Sequence, residues 1–430
     1  MPKIISNKSS VDLDYPVVRP SLDLDFTQEV LDERITFSRG SIGTRVNRNR
    51  LIETVSANQP RFDYDPVTGE CKGLLIEESR QNLFTYSNDF SQGVWSKTRT
   101  NILSNAAIAP DGTNTAFKLY NDITSNASHR MTSSYVTSAS LPTGSIFVKA
   151  AEYDRVLMSV VRDNGTGFAG GEVAFDLKSG TIITNLGYGG TTGKIEPYGN
   201  GWYRISIVST ITATTNYGLR INLLNTFQSS AATYTGDGTS GIYIWGAQVE
   251  IGAFPTSYIP TSGSTVTRSA DNASMTGTNF SSWYNQTEGT LYARWSIPVK
   301  PSGFPGIANI QDSGRNNGVI ISTNLNNNNR VTVRGSNLTI IDDYTNLTIP
   351  LNSVAGSAIA YRTNSTTTDA FYSGNGGNES SRSVTKNIPI VNVDRLLLGN
   401  NVGNILSGHI RRVTYYPRAL KPNQLQLLTQ

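Results

Sequence analysis

Short runs in which β-branched and aromatic residues alternate with polar ones recur along most of this chain, separated by Gly, Asn, Asp and Thr. The clearest runs span residues 144–161, 172–177, 201–211, 241–251, 289–297, 318–322, 330–335, 357–363, 369–374, 394–400 and 408–417. Successive side chains of a strand point to opposite faces, so this alternation is typical of strands that bury one face. Many such strands at this spacing predict an all-β protein built from sandwiches or barrels.

The alternation also makes an expectation for single residues. In the run GWYRISIVSTI, Trp202 and Arg204 should share one face of the strand, and Tyr203 and Ile205 should share the other. One of these two faces is therefore expected to lie in a hydrophobic core.

The runs fall into two blocks, at 83–270 and at 286–430, each of which is predicted to be a β-sandwich. Residues 271–285 are predicted to be a linker. A short helix is predicted only near the end of the chain, at 419–428, where Pro422 occupies a position that the first turn of a helix tolerates.

The beginning of the chain differs from the rest in charge. The first 80 residues contain 24 charged side chains, whereas the remaining 350 contain 44. Residues 1–82 are therefore predicted to form an N-terminal arm of short strands and loops that docks on a larger assembly, with Arg45, Arg48 and Arg50 as candidate docking residues. A solvated extension is the alternative. Deletion of the arm is expected to leave both sandwiches folded.

Composition argues against several classes of protein. A single cysteine, Cys71, allows no internal disulfide, and with only two histidines a Cys- or His-based metal site is not expected. The formal net charge of +4 over 430 residues does not predict nucleic-acid binding. We find neither a secretory signal nor an apolar run of about 18 residues. We therefore expect no cofactor, no metal, no membrane insertion and synthesis in the cytoplasm.

Glycoside hydrolysis is the enzymatic alternative that a β-sandwich makes worth testing. It requires two carboxyl groups roughly 5–10 Å apart. The adjacent Glu77 and Glu78 would point to opposite faces of a strand, so they do not form such a pair. A pair contributed by separate strands stays open, but the sequence predicts that the protein is not an enzyme.

Aromatic residues are the most informative class for binding. Trp95, Trp202 and Trp245 lie in or beside strong strands and are expected in the core. Tyrosine and phenylalanine residues of the second block could instead stack on sugar rings beside planar polar side chains. The candidate sugar shelf consists of Arg315, Asn317, Tyr344, Tyr361, Phe371 and Tyr372. Ordinary packing inside the sandwich is the alternative for each of its aromatic residues.

Four long strings resemble bacteriophage virion proteins that carry the head-spike-fibre type domain. They are RFDYDPVTGECKGLLIEESRQNLFTYSNDFSQGVWSKT (61–98), NAAIAPDGTNTAFKL (105–119), GNGWYRISI (199–207) and IWGAQVEIGAFPTSYIPTSGSTVTRSAD (244–271). The resemblance covers about residues 20–270 and implies a jelly-roll sandwich for 83–270. The family is structural and includes head fibres, decoration proteins and tail fibres, which these strings do not separate.

The second block is similar to laminin-G/concanavalin-A-like sandwiches, most clearly in its ending GHIRRVTYYPRAL (408–420). Together the resemblances imply a fibre or spike, displayed on the exterior of the virion, that attaches to host cell-surface polysaccharide. The expected partners are other virion proteins (capsid, portal or tail), bound through the N-terminal segment, and further copies of the chain, with a trimer as the first expectation. A non-adhesive capsid decoration or tail component is the alternative, and a polysaccharide depolymerase is a third. Neither resemblance implies a catalytic residue.

Overall fold

The structure, a computed structural model, describes residues 18–134, 136–138, 142–163, 171–186, 191–208, 215–225, 233–299, 303–375, 382–401 and 403–430. The regular secondary structure of these residues is almost entirely antiparallel strand, so the predicted all-β class is confirmed. The strands assemble into two sandwiches.

The first part of the chain contributes seven strands and one 3-10 helix, Phe26–Gln28. The strands are β1 (Leu22–Asp25), β2 (Thr36–Ser38), β3 (Gly43–Val46), β4 (Ile52–Val55), β5 (Phe62–Tyr64), β6 (Cys71–Ile76) and β7 (Arg80–Asn82). The strands between residues 83 and 270 are β8 (Trp95–Thr98), β9 (Thr100–Ala107), β10 (Ala116–Asn121), β11 (Arg130–Ser133), β12 (Val136–Ser138), β13 (Pro142–Ala150), β14 (Arg155–Asp163), β15 (Glu172–Asp176), β16 (Thr181–Leu186), β17 (Thr192–Pro197), β18 (Trp202–Val208), β19 (Thr215–Leu224), β20 (Gly241–Ile251) and β21 (Val266–Arg268).

The remainder of the chain contains further strands and two helices. These elements are β22 (Asn272–Thr276), α1 (Thr278–Ser281), β23 (Glu288–Ser296), β24 (Gly306–Gln311), β25 (Gly318–Thr323), β26 (Asn328–Gly335), β27 (Leu338–Thr348), β28 (Ala355–Thr363), β29 (Thr368–Gly374), β30 (Arg382–Lys386), β31 (Arg395–Leu398), β32 (Asn400–Asn401), β33 (Asn404–Ile405), β34 (Gly408–Tyr416) and α2 (Pro422–Thr429). The predicted C-terminal helix is therefore present as α2.

The middle sandwich consists of two sheets with the strand orders β17-β18-β13-β20-β10-β9 and β16-β15-β14-β19-β11-β8, and β12 pairs with β19. The core between the sheets is filled by alternate residues of each strand. Ile205 lies in this core and Tyr203 packs against it, whereas Trp202 faces the other way, towards Phe147 and Trp245. The predicted faces of this strand are confirmed.

All three tryptophans that were expected in the core are buried, Trp95 between the two sheets and Trp202 and Trp245 in a second cluster on the outer face. Arg204, on the same face as Trp202, is also buried and places its guanidinium 5.4 Å from the ring centre of Phe147. The outer face of β18 is thus covered by a second, smaller cluster of aromatic side chains.

The C-terminal sandwich combines strands from both ends of the chain. One sheet has the order β30-β29-β28-β23-β34-β6-β5, and β1 pairs with β34 as well. The facing sheet has the order β2-β22-β31-β24-β25-β26-β27. This sandwich therefore includes five strands that lie before residue 286, where the second block was predicted to begin. They are β1, β2, β5, β6 and β22.

Residues 18–82 therefore do not form the separate arm that the sequence predicts. Leu22 and Leu24 point into the core of the C-terminal sandwich, while Asp23, between them, pairs with Arg412 on the neighbouring strand at 2.6 Å. Residues 271–285, the predicted linker, contain β22 and α1 and likewise pack in this sandwich. The boundaries of the two sandwiches, 83–270 and 286–430, stay predictions.

Helix α2 closes the outer face of the C-terminal sandwich. Leu425 packs with Leu420, Tyr292, Ala358 and Ala360, the last three of which belong to the outward faces of β23 and β28. Within the part of the chain that the structure describes, no helix is both long and apolar enough to cross a membrane.

Candidate functional site

A cluster of buried charged side chains joins the two sandwiches, and we call it the inter-sandwich clamp. Its members are Arg39, Arg61, Glu77, Arg268 and Asp271. Asp271 accepts from Arg39 at 3.1 Å and from Arg61 at 2.5 Å, and Arg61 also lies 2.8 Å from Glu77. Three guanidinium groups thus surround two carboxylates, which leaves neither carboxylate without a counter-ion.

The clamp also satisfies backbone groups of the middle sandwich. Ser257, in the segment between β20 and β21, donates its N–H and its hydroxyl to the Glu77 carboxylate at 2.8 and 2.7 Å. Burial would raise the pKa of Glu77, but the charges of Arg268 and Arg61 and the Ser257 hydrogen bonds outweigh it and lower this pKa to about 2. Glu77 is therefore ionised at neutral pH and cannot donate a proton as a general acid.

A second buried pair lies beside the clamp. The imidazole of His409, on β34, contacts the carboxylate of Asp63, on β5, at 2.8 Å, and Lys72 lies 2.9 Å from the same carboxylate. Burial opposes ionisation of Asp63, yet Lys72 and His409 hold the pKa of this carboxyl well below its usual range. Burial and the charge of Lys72 lower the pKa of His409, so the ring is neutral at pH 7.

The side chains of Asp63 and Glu77 line a cleft of about 130 Å³ between the sandwiches. Cleavage of a glycosidic bond needs one carboxyl group that is protonated at working pH. Asp63 and Glu77 are held in the ionised form, so neither of them supplies this proton at neutral pH. Within the described residues, this cleft included, no three His, Cys, Asp or Glu side chains are grouped to hold a metal ion.

The six residues of the candidate sugar shelf do not form one surface. Tyr361 and Tyr372 lie on the inward face of β28 and β29, in the core between the sheets. The Tyr361 hydroxyl is bonded to Tyr415 at 2.8 Å and donates to the Asn285 carbonyl at 3.0 Å. Because these two rings fill the core, they cannot stack on a sugar.

The other shelf residues lie elsewhere. Phe371 is on the outward face of β29, in the cluster beneath α2. Asn317 is buried, and its amide oxygen accepts from the N–H groups of Ser336 and Val391 at 2.9 and 3.2 Å. Arg315 is in the turn that precedes β25, with φ of 63°. Tyr344 belongs to β27, but its side chain lies outside the described residues.

The three predicted docking arginines lie on or beside the β3–β4 hairpin. Arg45 pairs with Glu53 at 2.7 Å, Arg48 pairs with Glu29, and Arg50 donates to the Val67 carbonyl at 3.2 Å. Arg48 and Arg50 are exposed, Arg48 with 77% of its side chain. Their docking role stays a prediction.

An open groove of about 390 Å³ on the middle sandwich is a candidate binding surface, and we call it the surface groove. Its lining includes the side chains of Tyr86, Asn88, Asp89, Asn105, Thr115 and Thr261, and the almost fully buried Phe117 also contributes to it. An aromatic ring beside amide, carboxylate and hydroxyl groups is the combination that packs against the apolar face of a sugar and bonds its hydroxyls.

A β-bulge shapes one wall of the groove. The pairing of β9 with β10 shifts register between Ala116 and Lys118, so that residues 104–106 bulge out opposite Phe117. Asn105 takes a left-handed conformation there, with φ of 54°, and its side chain is exposed. Bulges of this kind re-aim side chains at sheet edges.

The opposite wall is held by contacts between two loops. Tyr86 and Ser262 form an isolated β-bridge, and the indole of Trp95 donates to the Tyr86 carbonyl at 2.9 Å. Asn88 accepts from the Gly246 N–H at 2.9 Å through its amide oxygen, which fixes the orientation of the amide. The groove is thus preformed rather than assembled from mobile side chains.

One hydroxyl of the groove is not satisfied. Thr261 is 7% exposed and its side-chain oxygen has no hydrogen-bond partner within the described residues. Its backbone is fixed, since its N–H donates to the Ser87 hydroxyl at 2.8 Å. A buried hydroxyl without a partner is costly, but this oxygen is itself buried, so a ligand in the groove does not reach it directly.

This groove was not among the predictions made from sequence. The candidate sugar shelf was predicted in the second block, whereas Tyr86 lies in the string LFTYSNDFS near the start of the first block. The available signal was the Tyr-Ser-Asn-Asp sequence, in which a ring adjoins turn-forming polar residues after a short strand. Its meeting with residues 260–262 is tertiary and has no local signature.

No protein-family model matches the sequence, and no curated protein matches it. Among solved structures, the chain is similar to the CBM40 module of the Ruminococcus gnavus IT-sialidase (12% identity, TM-score 0.27, 35% of this chain and 88% of that one). It is also similar to domain 4 of the arabinanase AbnA of Geobacillus stearothermophilus in complex with arabinotriose (16%, 0.28, 37% and 73%) and to the NanB sialidase of Streptococcus pneumoniae (15%, 0.29, 36% and 26%). These neighbours are carbohydrate-binding or carbohydrate-processing proteins, but similarity at this level shows neither a shared function nor a shared ligand.

Proposed function

We propose that this protein is a fibre or spike adhesin of a virion and that it binds a host-surface glycan through the surface groove. The observation that carries the proposal is the preformed combination, along an open groove, of the half-buried Tyr86 and Asn88 with the exposed Asn105. A sugar offers an apolar face to the ring and hydroxyls to the polar side chains, so it matches both parts of this surface.

The scaffold supports this function because it keeps the groove in a fixed position. The middle sandwich is joined to the C-terminal sandwich by the inter-sandwich clamp, in which Arg61, Glu77 and Asp271 are all buried. A rigid support lowers the conformational entropy lost on binding. Single sugar contacts are weak, and a homo-oligomer, a trimer in the first instance, displayed on the particle would gain avidity from its several grooves.

The state of the buried carboxyl groups favours adhesion over depolymerisation. Asp63 and Glu77, which line the cleft between the sandwiches, both have lowered pKa values because of neighbouring cations and hydrogen bonds. Neither can supply the proton that a leaving sugar needs at neutral pH. These two carboxyl groups therefore support binding rather than hydrolysis as the role of the chain.

The test is binding of the purified full-length protein to an array of bacterial surface polysaccharides. We expect saturable binding that Tyr86→Ala weakens at least tenfold and that Tyr120→Ala, a partly exposed tyrosine of β10 outside the groove, leaves unchanged. Both variants should melt like the wild type. Absence of binding at micromolar protein, or binding that is indifferent to Tyr86→Ala, would overturn the proposal, and absence of binding would favour the decoration role.

A further inference from the structure

The only charged side chain that lines the surface groove, within the described residues, is negative. Asp89 is the ionisable acid among its lining residues, and no Lys, Arg or His side chain lines it within the described residues. The chain as a whole carries a net charge of +4, so the groove differs from the average surface of this protein.

Asp89 is held as an anion by its own loop. It accepts from the N–H and hydroxyl of Ser91 at 3.0 and 2.5 Å, and from the amide of Gln92 at 2.7 Å. Burial acts against ionisation, but these hydrogen bonds and the charge of Lys97 lower the pKa of Asp89. The Lys97 ammonium lies 3.4 Å from the Ser91 carbonyl and is outside the groove lining.

A second carboxylate acts on the groove through a chain of hydroxyls. Asp111 accepts from the Thr113 hydroxyl at 2.7 Å, and Thr113 is bonded to the Thr115 hydroxyl at 2.7 Å. Because the proton of Thr113 is used on Asp111, Thr115 must donate to Thr113. The Thr115 hydroxyl oxygen accepts a hydrogen bond from the Trp245 indole at 3.2 Å. Its remaining lone pair can accept a hydrogen bond from a donor group of the ligand.

We propose that the surface groove selects uncharged or amino-bearing sugars and rejects glycans that carry carboxylate, phosphate or sulfate groups. This inference rests on the proposed function and adds the class of ligand. The hydroxyl and ammonium groups of such sugars can donate hydrogen bonds to the side-chain oxygens of Asp89 and Thr115. An anionic substituent would instead approach the Asp89 carboxylate with no cation in the lining to compensate it, and like charges at such short range repel.

The experiment compares neutral, amino-bearing and acidic oligosaccharides on one array, with wild-type protein and the variant Asp89→Asn. We expect wild-type binding to the first two classes and at least tenfold weaker binding to acidic relatives of the same backbone. Asp89→Asn keeps an acceptor oxygen for Ser91 but removes the negative charge. It should therefore reduce the difference in affinity between neutral and acidic oligosaccharides, and it should weaken the binding of amino sugars. Asp394→Asn, a surface carboxyl outside the groove, is the matched control.

The outcomes separate the two proposals. If the protein binds acidic glycans and Tyr86→Ala abolishes this binding, the proposed charge selection is overturned, whereas the proposed adhesin function is retained. A selectivity that Asp89→Asn does not change, in a variant that melts like the wild type, would also overturn the charge selection. Absence of binding to every class would overturn both.

Discussion

Arg39 and Asp271 are 232 positions apart in the chain, yet they form an ion pair of 3.1 Å in which neither side chain is exposed. Asp271 also accepts the N–H of Glu77 at 2.9 Å, and the Glu77 carbonyl accepts the Asp271 N–H at 3.0 Å. The start of the C-terminal sandwich is therefore fixed to the N-terminal strands by both side-chain and backbone bonds. This arrangement makes the C-terminal sandwich dependent on the N-terminal segment.

Removal of the central cation of the clamp should be strongly destabilising. In Arg61→Met, Glu77 and Asp271 would stay buried with fewer counter-ions, and loss of one partner of a buried ion pair costs about 3–5 kcal/mol. Urea unfolding at pH 7 should show this decrease in the free energy of unfolding.

The matched control replaces an arginine of a surface pair. Arg395 pairs with Asp394 at 2.7 Å, where both side chains are substantially exposed, so Arg395→Met should cost about 0–1 kcal/mol. Equal losses in Arg61→Met and Arg395→Met would show that the clamp contributes no more than a surface pair.

Acid should destabilise the protein through Glu77. Its pKa is about 2 in the folded state, below the ordinary value of 4.5, so the unfolded chain binds more protons between these values. The contribution, about 3 kcal/mol from the size of the shift, is complete above about pH 5 and is lost as the pH falls towards 2. Urea midpoints measured from pH 7 to pH 3 should decrease accordingly.

The variant Glu77→Gln should be less stable at pH 7 and should lose less stability in acid, because this titration is gone. Part of the acid dependence should persist, since the pKa of Asp63 is also lowered by Lys72 and His409. The exposed Glu33, replaced by Gln, should keep the wild-type dependence. A pH dependence that Glu77→Gln leaves intact would contradict the assignment.

The sequence supports prediction of strand faces but not of strand partners. Alternation of Leu22, Asp23, Leu24 and Asp25 shows which side is buried, and the structure agrees. Nothing in these four residues indicates that they pair with Tyr415 and its neighbours, almost 400 residues away. Charge density was therefore interpreted as a sign of a docking arm, although several of these charges pair within the fold.

The candidate site illustrates the same limit. Tyr361 lies on the same face of its strand as Ile359, and Tyr372 lies on the same face as Ala370. Alternation alone could therefore have assigned both tyrosines to the core. The surface groove could not be predicted in this way. It depends on a register shift beside Asn105 and on the meeting of two distant loops, which are tertiary features.

A glycine of β6 should be essential for pairing of the N-terminal segment with the C-terminal sandwich. Gly73 has φ of 97°, and a Cβ there would collide with the carbonyl oxygen of Ile410 on β34. Gly73→Ala combines backbone strain with a clash against main chain, so it should cost about 2–3 kcal/mol. The control is Gly93→Ala, where a Cβ meets no atom within 4 Å and the effect should stay within about 0.5 kcal/mol. Thermal unfolding of the two variants measures both, and equal midpoints would refute the requirement.

Deletion of residues 1–82 should unfold the C-terminal sandwich, contrary to the expectation from sequence. It removes β1, β5 and β6 from one sheet and β2 from the other, together with the core side chains of Leu22, Leu24, Phe26, Phe62, Leu74 and Ile76. The free edge of β34 would then expose unpaired backbone groups and an open core. In limited proteolysis of the truncated protein, fragments from 83–270 should persist while 286–430 is degraded. Equal protection of both regions would show that the N-terminal strands are dispensable for this sandwich, as an independent docking arm would be.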